Sequence, residues 1–248
     1  MSSVLTIYLN AFMQSFGRNS ISTCRDTGVL PTKSMVIGLI LNALGHDNTS
    51  EEEKDYPEQM SNALRFATKQ LYTKSSSKMV DFCVARRCDK QSDILYKEYI
   101  VGSRYNVYLE GDSSDIEKIA EALLFPKRAL YSGRKCCTFS SPLCWDSKNN
   151  IPTITKNSHI ENLIFNDINL TNPFPKHVIE CGNMASFSNR TLTKEITDII
   201  NKSIGENKWI PTFSNERKTN PIRFGNQLWG DLFCYSVKYL KYNDMKEL

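Results

Sequence analysis

Apolar and polar residues alternate from Val4 to Leu9, a two-residue period that predicts a strand. Gly17, Asn19, Asp26, Gly28 and Pro31 follow, and so many turn-forming residues predict a long loop. From Met35 to Leu44 every residue except Asn42 is apolar or glycine, so a helix over Thr32 to Leu44 is expected to be sandwiched in a core. Thr32 or Ser34 is available as its N-cap, with Pro31 just before, and Gly45 is placed for a left-handed C-terminal cap. Asn48 to Glu58, acidic, reads as a surface loop or short helix. Ala63 to Thr73 and Met79 to Ala85 read as strands separated by the polar turn Lys74 to Lys78. Ser103 to Glu110 alternates again. Asp112 to Asp115 then caps an amphipathic helix that carries Ile116, Ile119, Ala120, Leu123 and Leu124 on one side and is stopped by Pro126.

This order is read as β-α-β-β-α with one strand to spare between the helices, and a further strand is expected near Ala129 to Tyr131 or Cys136 to Phe139. It predicts an α+β fold, a ferredoxin-like (RRM-like) βαββαβ domain over residues 1–145. Residues 146–248 change texture to Asn, Thr, Lys and Ile, and read as an irregular β-rich extension packed on the first domain. Within them a helix is expected at Thr193 to Ile204 and a closing strand at Leu232 to Leu240.

A chain of 248 residues with 40% hydrophobic and 23% charged residues is long and apolar enough for a real core, which excludes wholesale disorder and disulfide miniprotein scaffolds. The apolar stretch Met35 to Leu44 reaches about half of the roughly 20 residues needed to cross a bilayer, and the N-terminus lacks the basic flank of a leader. A cytoplasmic protein without membrane contact is the expectation. The eight cysteines are scattered without a Cys-x-x-Cys pair, so reduced, mostly buried thiols are expected rather than a metal site. The net charge of +4 is unevenly spread. Acidic residues cluster at Glu51 to Glu58, while Lys69 to Lys97 and Lys127 to Lys135 are basic. Lys127, Arg128, Arg134 and Lys135 stand in one short run without an anion, a local field suited to a phosphate backbone.

Gly28 to Ser34 ends in Lys33-Ser34 and opens a helix, yet Thr27 and Thr32 stand where a phosphate-binding loop needs glycine, so nucleotide hydrolysis is excluded. What remains is a helix N-terminus with hydroxyls and a lysine, a generic anion site. His46, His159 and His177 are the only histidines, and none lies in a basic block. Neither catalysis nor a cofactor is therefore expected. Tyr96, Tyr99, Tyr105, Tyr108 and Tyr131 lie in or beside the basic stretches, the aromatic-among-cations pattern of single-strand binding.

Three blocks carry a family resemblance: Met13-Gln14-Ser15-Phe16-Gly17, Arg25-Asp26-Thr27-Gly28, and Leu30-Pro31-Thr32-Lys33-Ser34 running on to Ala43-Leu44-Gly45. Asp81-Phe82, Glu98-Tyr99, Pro126 and Tyr131 to Cys136 follow in the same order. Together they closely resemble the CasD family, the subunit of the type I-E CRISPR Cascade complex that holds the 5′ handle of the guide RNA in antiviral defence. Met35 stands where that family usually has glycine.

The resemblance implies an RNA-binding subunit that caps one end of a guide-RNA filament and contacts the large subunit and the nearest backbone subunit, meeting target DNA only through the complex. Gln14, Ser15, Arg25, Thr32, Lys33 and Ser34 would line the handle site, with Arg134 and Lys135 adding phosphate contacts. The excursion Arg86 to Asp93 matches the family's thumb, here short and placed around residues 84–97, with Arg86, Arg87 and Lys90 against phosphates. The alternative is a guide-RNA processing endonuclease of the type I-C kind, whose metal-independent cleavage activates a 2′-hydroxyl through acid–base groups that usually include a histidine.

Overall fold

Along Ser2–Asn10 (β1) the alternation sorts side chains between two faces: Leu5, Ile7 and Leu9 point into a fully buried core while Thr6 and Tyr8 lie on the other side. This computed structural model describes residues 2–17, 24–46, 56–71, 76–86, 92–160, 163, 177–180, 209–214, 222–224, 227–229 and 234–241. The expected helix Thr193 to Ile204, the acidic residues 51–55, and Arg87 and Lys90 lie outside them.

After β1 come the short strands Met13–Gln14 (β2) and Cys24–Arg25 (β3), then the helix Lys33–Leu44 (α1). Thr32 caps α1 in an extended conformation, its Oγ1 accepting from the Met35 N–H at 3.3 Å, and Gly45 ends it in the left-handed region at φ 76°. Tyr56–Ala63 (α2) leads into the strand Arg65–Leu71 (β4). Ser77–Arg86 (β5) and Ser92–Val101 (β6) form a hairpin, and Arg104–Asp112 (β7) precedes the helix Ser113–Leu124 (α3). Beyond α3 run Trp145–Asp146 (β8), Ile151–Pro152 (β9), Ile154–Lys156 (β10) and His177–Glu180 (β11). Trp209–Ser214 (β12), Ile222–Phe224 (β13), Gln227–Trp229 (β14) and Cys234–Lys241 (β15) complete the strands.

The main sheet has seven strands in the order β10-β1-β7-β4-β11-β15-β12, every neighbouring pair antiparallel. It therefore runs across the boundary expected at residue 145. Helices α1 and α3 cover one face, where Val36, Ile37, Ile40, Ile116 and Ile119 pack with Leu5, Ile7, Tyr105, Val107 and Leu109. Each fully buried side chain of this size contributes about 1.5–3 kcal/mol. The architecture is mixed α and β with sheets dominating.

Two sequence expectations are corrected here. The strand that pairs with the outer edge of β1 is β10, whereas Tyr131, Thr138 and Phe139 make only isolated bridges, because the loop there is pulled toward β2 instead. The strand at Met79 to Ala85 leaves the main sheet and joins a second one, in which β6 carries β5 on one edge and β2 and β3 on the other.

Candidate functional site

Two of the sequence blocks are physically joined. The Phe16 N–H donates to Thr27 Oγ1 at 2.7 Å, the Thr27 hydroxyl donates to the Gly28 carbonyl at 3.1 Å, and the Gly28 N–H donates to the Phe16 carbonyl at 2.6 Å. Phe16 itself packs edge-on against Tyr105, and burial pushes that phenol up to about 12. The Thr27 N–H meets the Glu98 carboxylate, which Lys78 holds below its usual range through a 2.6 Å hydrogen bond. This lock carries the chain from β2 to the N-terminus of α1.

The glycine loop Tyr131 to Lys135 closes on the same backbone. Gln14 is fully buried and works as its clamp: Nε2 donates to the Ser103 carbonyl at 2.6 Å, and Oε1 accepts from the Ser132 hydroxyl at 3.0 Å. The Ser15 N–H donates to the Ser132 carbonyl, and Gly133 adopts φ 90° against the Ser15 backbone. Arg134 is oriented by three groups. Its guanidinium donates to the carbonyls of Glu98 and Arg25 at 3.1 and 3.0 Å and lies 4.6 Å over the ring of Tyr99, whose phenol is raised by burial.

Between this loop and α1 lies a cleft of about 520 Å³. One wall is α1 from its N-cap to its last turn, with Thr32, Ser34, Met35 and Asn42; the other is Tyr131, Gly133, Arg134 and Lys135, with Ser15 also in the lining. His46 and Arg128 also line it, and the Arg128 guanidinium donates to the His46 carbonyl at 2.8 Å. The cleft thus collects the Thr32 and Ser34 hydroxyls at the start of α1, Arg134 and Lys135 on the loop, and Arg128 by the far end of the helix, a set of donors suited to phosphate oxygens.

Ser15, Thr32, Ser34, Arg134 and Lys135 are thus brought to one cleft. Gln14 is buried with both ends of its amide bonded, and Lys33 is 2% exposed with its ammonium donating to the Leu64 carbonyl at 2.6 Å. Neither offers its side chain to a ligand, so both are structural, contrary to the sequence reading. Arg25 is exposed on β3, outside the cleft lining, and Arg86 ends β5. Of the five tyrosines Tyr131 reaches the cleft, Tyr96 stands exposed on the β5–β6 hairpin, and Tyr99, Tyr105 and Tyr108 are buried.

His46, Arg128 and Asn42 were missed as neighbours. Arg128 belongs to the basic run, but His46 enters the cleft only because the chain after Phe125 crosses the end of α1, where the Lys127 N–H donates to the Ala43 carbonyl at 2.9 Å. Among the described cysteines Cys137 and Cys144 are buried and Cys136 is exposed. Among the described residues no cluster of His, Cys, Asp and Glu has the makings of a metal site, and no helix is long and apolar enough to cross a membrane.

The family model described as CRISPR-associated protein (Cas_Cas5) matches residues 4–190, well over half of the 248-residue chain. No curated protein matches. A solved "CRISPR RNA-guided surveillance complex" chain is 15% identical with a TM-score of 0.57, covering 96% of this chain and 89% of that one. A second structure, "Crystal structure of Cas protein", is 19% identical with a TM-score of 0.52, covering 96% and 94% respectively. At these identities the likeness is one of fold, while the family match spans both the lock and the cleft. The chain belongs to the CRISPR-associated Cas5 family.

Proposed function

We propose that this chain holds the 5′ part of a guide RNA within a CRISPR surveillance complex, with phosphates seated in the cleft between α1 and the glycine loop. The observation that carries the reading is the cleft itself, in which Arg128, Arg134 and Lys135 line the same space as the Thr32 and Ser34 hydroxyls at the start of α1. Phosphate contacts set register and affinity without reading sequence, as expected of a subunit that grips a constant handle. The strand order β10-β1-β7-β4 supports the ferredoxin-like description of the first part of the chain. Partners in this reading are the guide RNA, the adjacent backbone subunit and the large subunit. The exposed Val80, Phe82, Val84, Ile94 and Tyr96 of the β5–β6 hairpin supply an apolar surface for the neighbouring subunit, in the manner of a thumb.

A second reading, guide-RNA processing, is favoured by two specific observations over the type I-E handle-holder without catalysis. The matched family model is Cas_Cas5d, the type I-C kind, and the cleft contains His46 together with Tyr131 and Lys135. A histidine, a phenol and an ammonium are the groups that metal-free cleavage beside a 2′-hydroxyl uses for proton transfer and charge stabilisation. One experiment separates the readings. Purified chain is incubated with its own repeat RNA in EDTA: binding with intact RNA supports the holder alone. Site-specific cleavage lost in His46→Ala, Tyr131→Phe or Lys135→Ala supports processing, and absence of any RNA binding overturns both.

A further inference from the structure

Cys136 and Cys137 follow directly on the glycine loop, the first exposed and the second buried at 1% exposure. Their sulfurs lie 3.9 Å apart. Neighbouring Cα atoms are about 3.8 Å apart, closer than the roughly 4.4 Å at which ordinary disulfides begin, so a bond between these two sulfurs is strained and easily reduced again. Such a pair suits reversible oxidation rather than a permanent crosslink.

Both cysteines are tied to Arg134. The Cys136 thiol donates to the Tyr99 hydroxyl at 3.6 Å, and the ring of that tyrosine lies 4.6 Å from the Arg134 guanidinium. The Cys137 N–H donates to the Arg134 carbonyl at 2.8 Å, and the Cys137 carbonyl accepts from the Ser132 N–H at 2.7 Å. Drawing the sulfurs from 3.9 Å to the roughly 2 Å of a disulfide turns the peptide between the two residues, and the N–H of that peptide is the one on the Arg134 carbonyl. It also takes Cys136 away from Tyr99.

We propose that Cys136 and Cys137 are a thiol pair that a peroxide oxidises reversibly to a vicinal disulfide, and that closing this bond releases Arg134 from its place on the cleft wall. Burial holds the Cys137 thiol above its ordinary value, so the exposed Cys136 reacts first. Its thiolate attacks one oxygen of hydrogen peroxide, the O–O bond breaks, and water leaves behind a sulfenic acid. The Cys137 sulfur then forms the S–S bond as the sulfenic S–O bond breaks, and the departing hydroxide takes the Cys137 proton as water. Two thiols give up two electrons and two protons, and the peroxide is reduced to two waters. The consequence for RNA rests on the reading of the cleft given above, whereas the oxidation and the loosening of the loop do not.

The full chain, its Cys136→Ser variant and its Cys137→Ala variant are treated with hydrogen peroxide and then with dithiothreitol. Three quantities are followed: the oxidation state of each cysteine by peptide mass mapping, the rate of trypsin cleavage after Arg134, and affinity for repeat RNA. Expected in the parent is a loss of two hydrogens located to Cys136 and Cys137, with faster cleavage after Arg134 because its side chain is no longer spent on the Glu98 and Arg25 carbonyls. RNA affinity should fall about tenfold, the loss of one charge-assisted hydrogen bond, and all three changes should reverse with dithiothreitol. Cys136→Ser should show none of them while binding RNA as the parent does when reduced. Cys136 ending as sulfinic acid or paired with another cysteine overturns the proposal, as does a Cys136–Cys137 disulfide that leaves cleavage after Arg134 unchanged. If the reduced chain binds no RNA, the reading of the cleft falls, and the mass mapping and trypsin rates still decide the switch. Should Cys137→Ala fail to fold, Cys136→Ser decides alone, for its side chain is exposed.

Discussion

A Cβ placed on Gly133 would lie 1.7 Å from the carbonyl oxygen of Ser15, so the glycine loop and the residue that follows β2 touch backbone to backbone. The position also has φ 90°, which L side chains rarely adopt. Gly133→Ala is expected to destabilise the chain by about 2 kcal/mol or more and to open the cleft, since strain and overlap act together. Gly17 lines the same cleft with nothing near its own Cβ direction. Gly17→Ala should melt within a degree or two of the parent. Thermal melts of the two variants check the contrast, and equal melting temperatures would contradict the close approach.

Lys33 and Lys135 look alike in sequence and should behave oppositely. Lys135 is exposed on the cleft wall, so Lys135→Ala should reduce the magnitude of the log–log salt slope of RNA binding by roughly 0.7, the value for one phosphate of a single strand. Lys33 is buried with its ammonium on the Leu64 carbonyl, so Lys33→Ala leaves a cavity and an unpartnered carbonyl and should cost about 2–4 kcal/mol of stability. Its salt slope should stay that of the parent under conditions where the variant is folded. Titrations at four salt concentrations, with melts alongside, read both effects.

The contrast between these lysines shows what a single sequence reveals. α1 was legible end to end because its signals are local: Thr32 caps Met35 three residues on, and Gly45 closes the last turn. The cluster Ile116, Ile119, Ala120 and Leu123 was legible for the same reason, one helix face repeating at helical spacing. Lys33 was misread because a first-turn lysine is ordinarily solvated, and its burial depends on a carbonyl 31 residues away. β10 is three residues long and is a strand only because β1 has a free edge there. His46 and Arg128 meet across 82 residues, a distance over which spacing carries no signal. The basic loop at Arg134 was found from charge alone, but that its guanidinium is spent partly on the Glu98 and Arg25 carbonyls was visible only in the fold.

Acid should loosen the junction at Glu110. Burial pushes this carboxyl up, but the hydrogen bond with His159, the Arg65 charge, the Ile160 N–H and the Ser2 hydroxyl together outweigh burial and hold it below its ordinary value. A carboxylate with a depressed folded-state value stabilises the fold above its unfolded value, near 4.3, and that contribution is lost as pH falls through the folded value. The chain should therefore be at full strength from this source at neutral pH and weaken below about pH 4.5. Glu110→Gln should melt lower at pH 7 and show a flatter stability profile between pH 5 and 3, measured by urea titration at each pH.

The β5–β6 hairpin should matter to assembly and hardly at all to folding. Its ladder runs from Ser77 opposite Val101 to Arg86 opposite Ser92, and one face carries the directly opposed pairs Phe82–Tyr96 and Val84–Ile94. Phe82 is 67% exposed and Tyr96 47% exposed, values far above those of the apolar residues in the main core. Because so little of Phe82 is buried, Phe82→Glu should change the stability of the isolated chain by about 0.5 kcal/mol or less. Replacing Arg86 to Asp93 by a short Gly-Ser turn removes none of the described residues of the buried core and should likewise leave the melting temperature nearly unchanged. In a complex the outcome differs. If the apolar face seats on the adjacent backbone subunit, a carboxylate at Phe82 is buried without a partner there, a change that costs several kcal/mol in an interface core. Co-expression with the neighbouring subunits should then give several-fold less chain in the purified complex for either variant, with guide RNA less protected from nuclease near its 5′ end. Parent-level incorporation and parent-level protection in both variants would show that the hairpin is a solvated connector, and the search for the subunit contact would move to another surface of the chain.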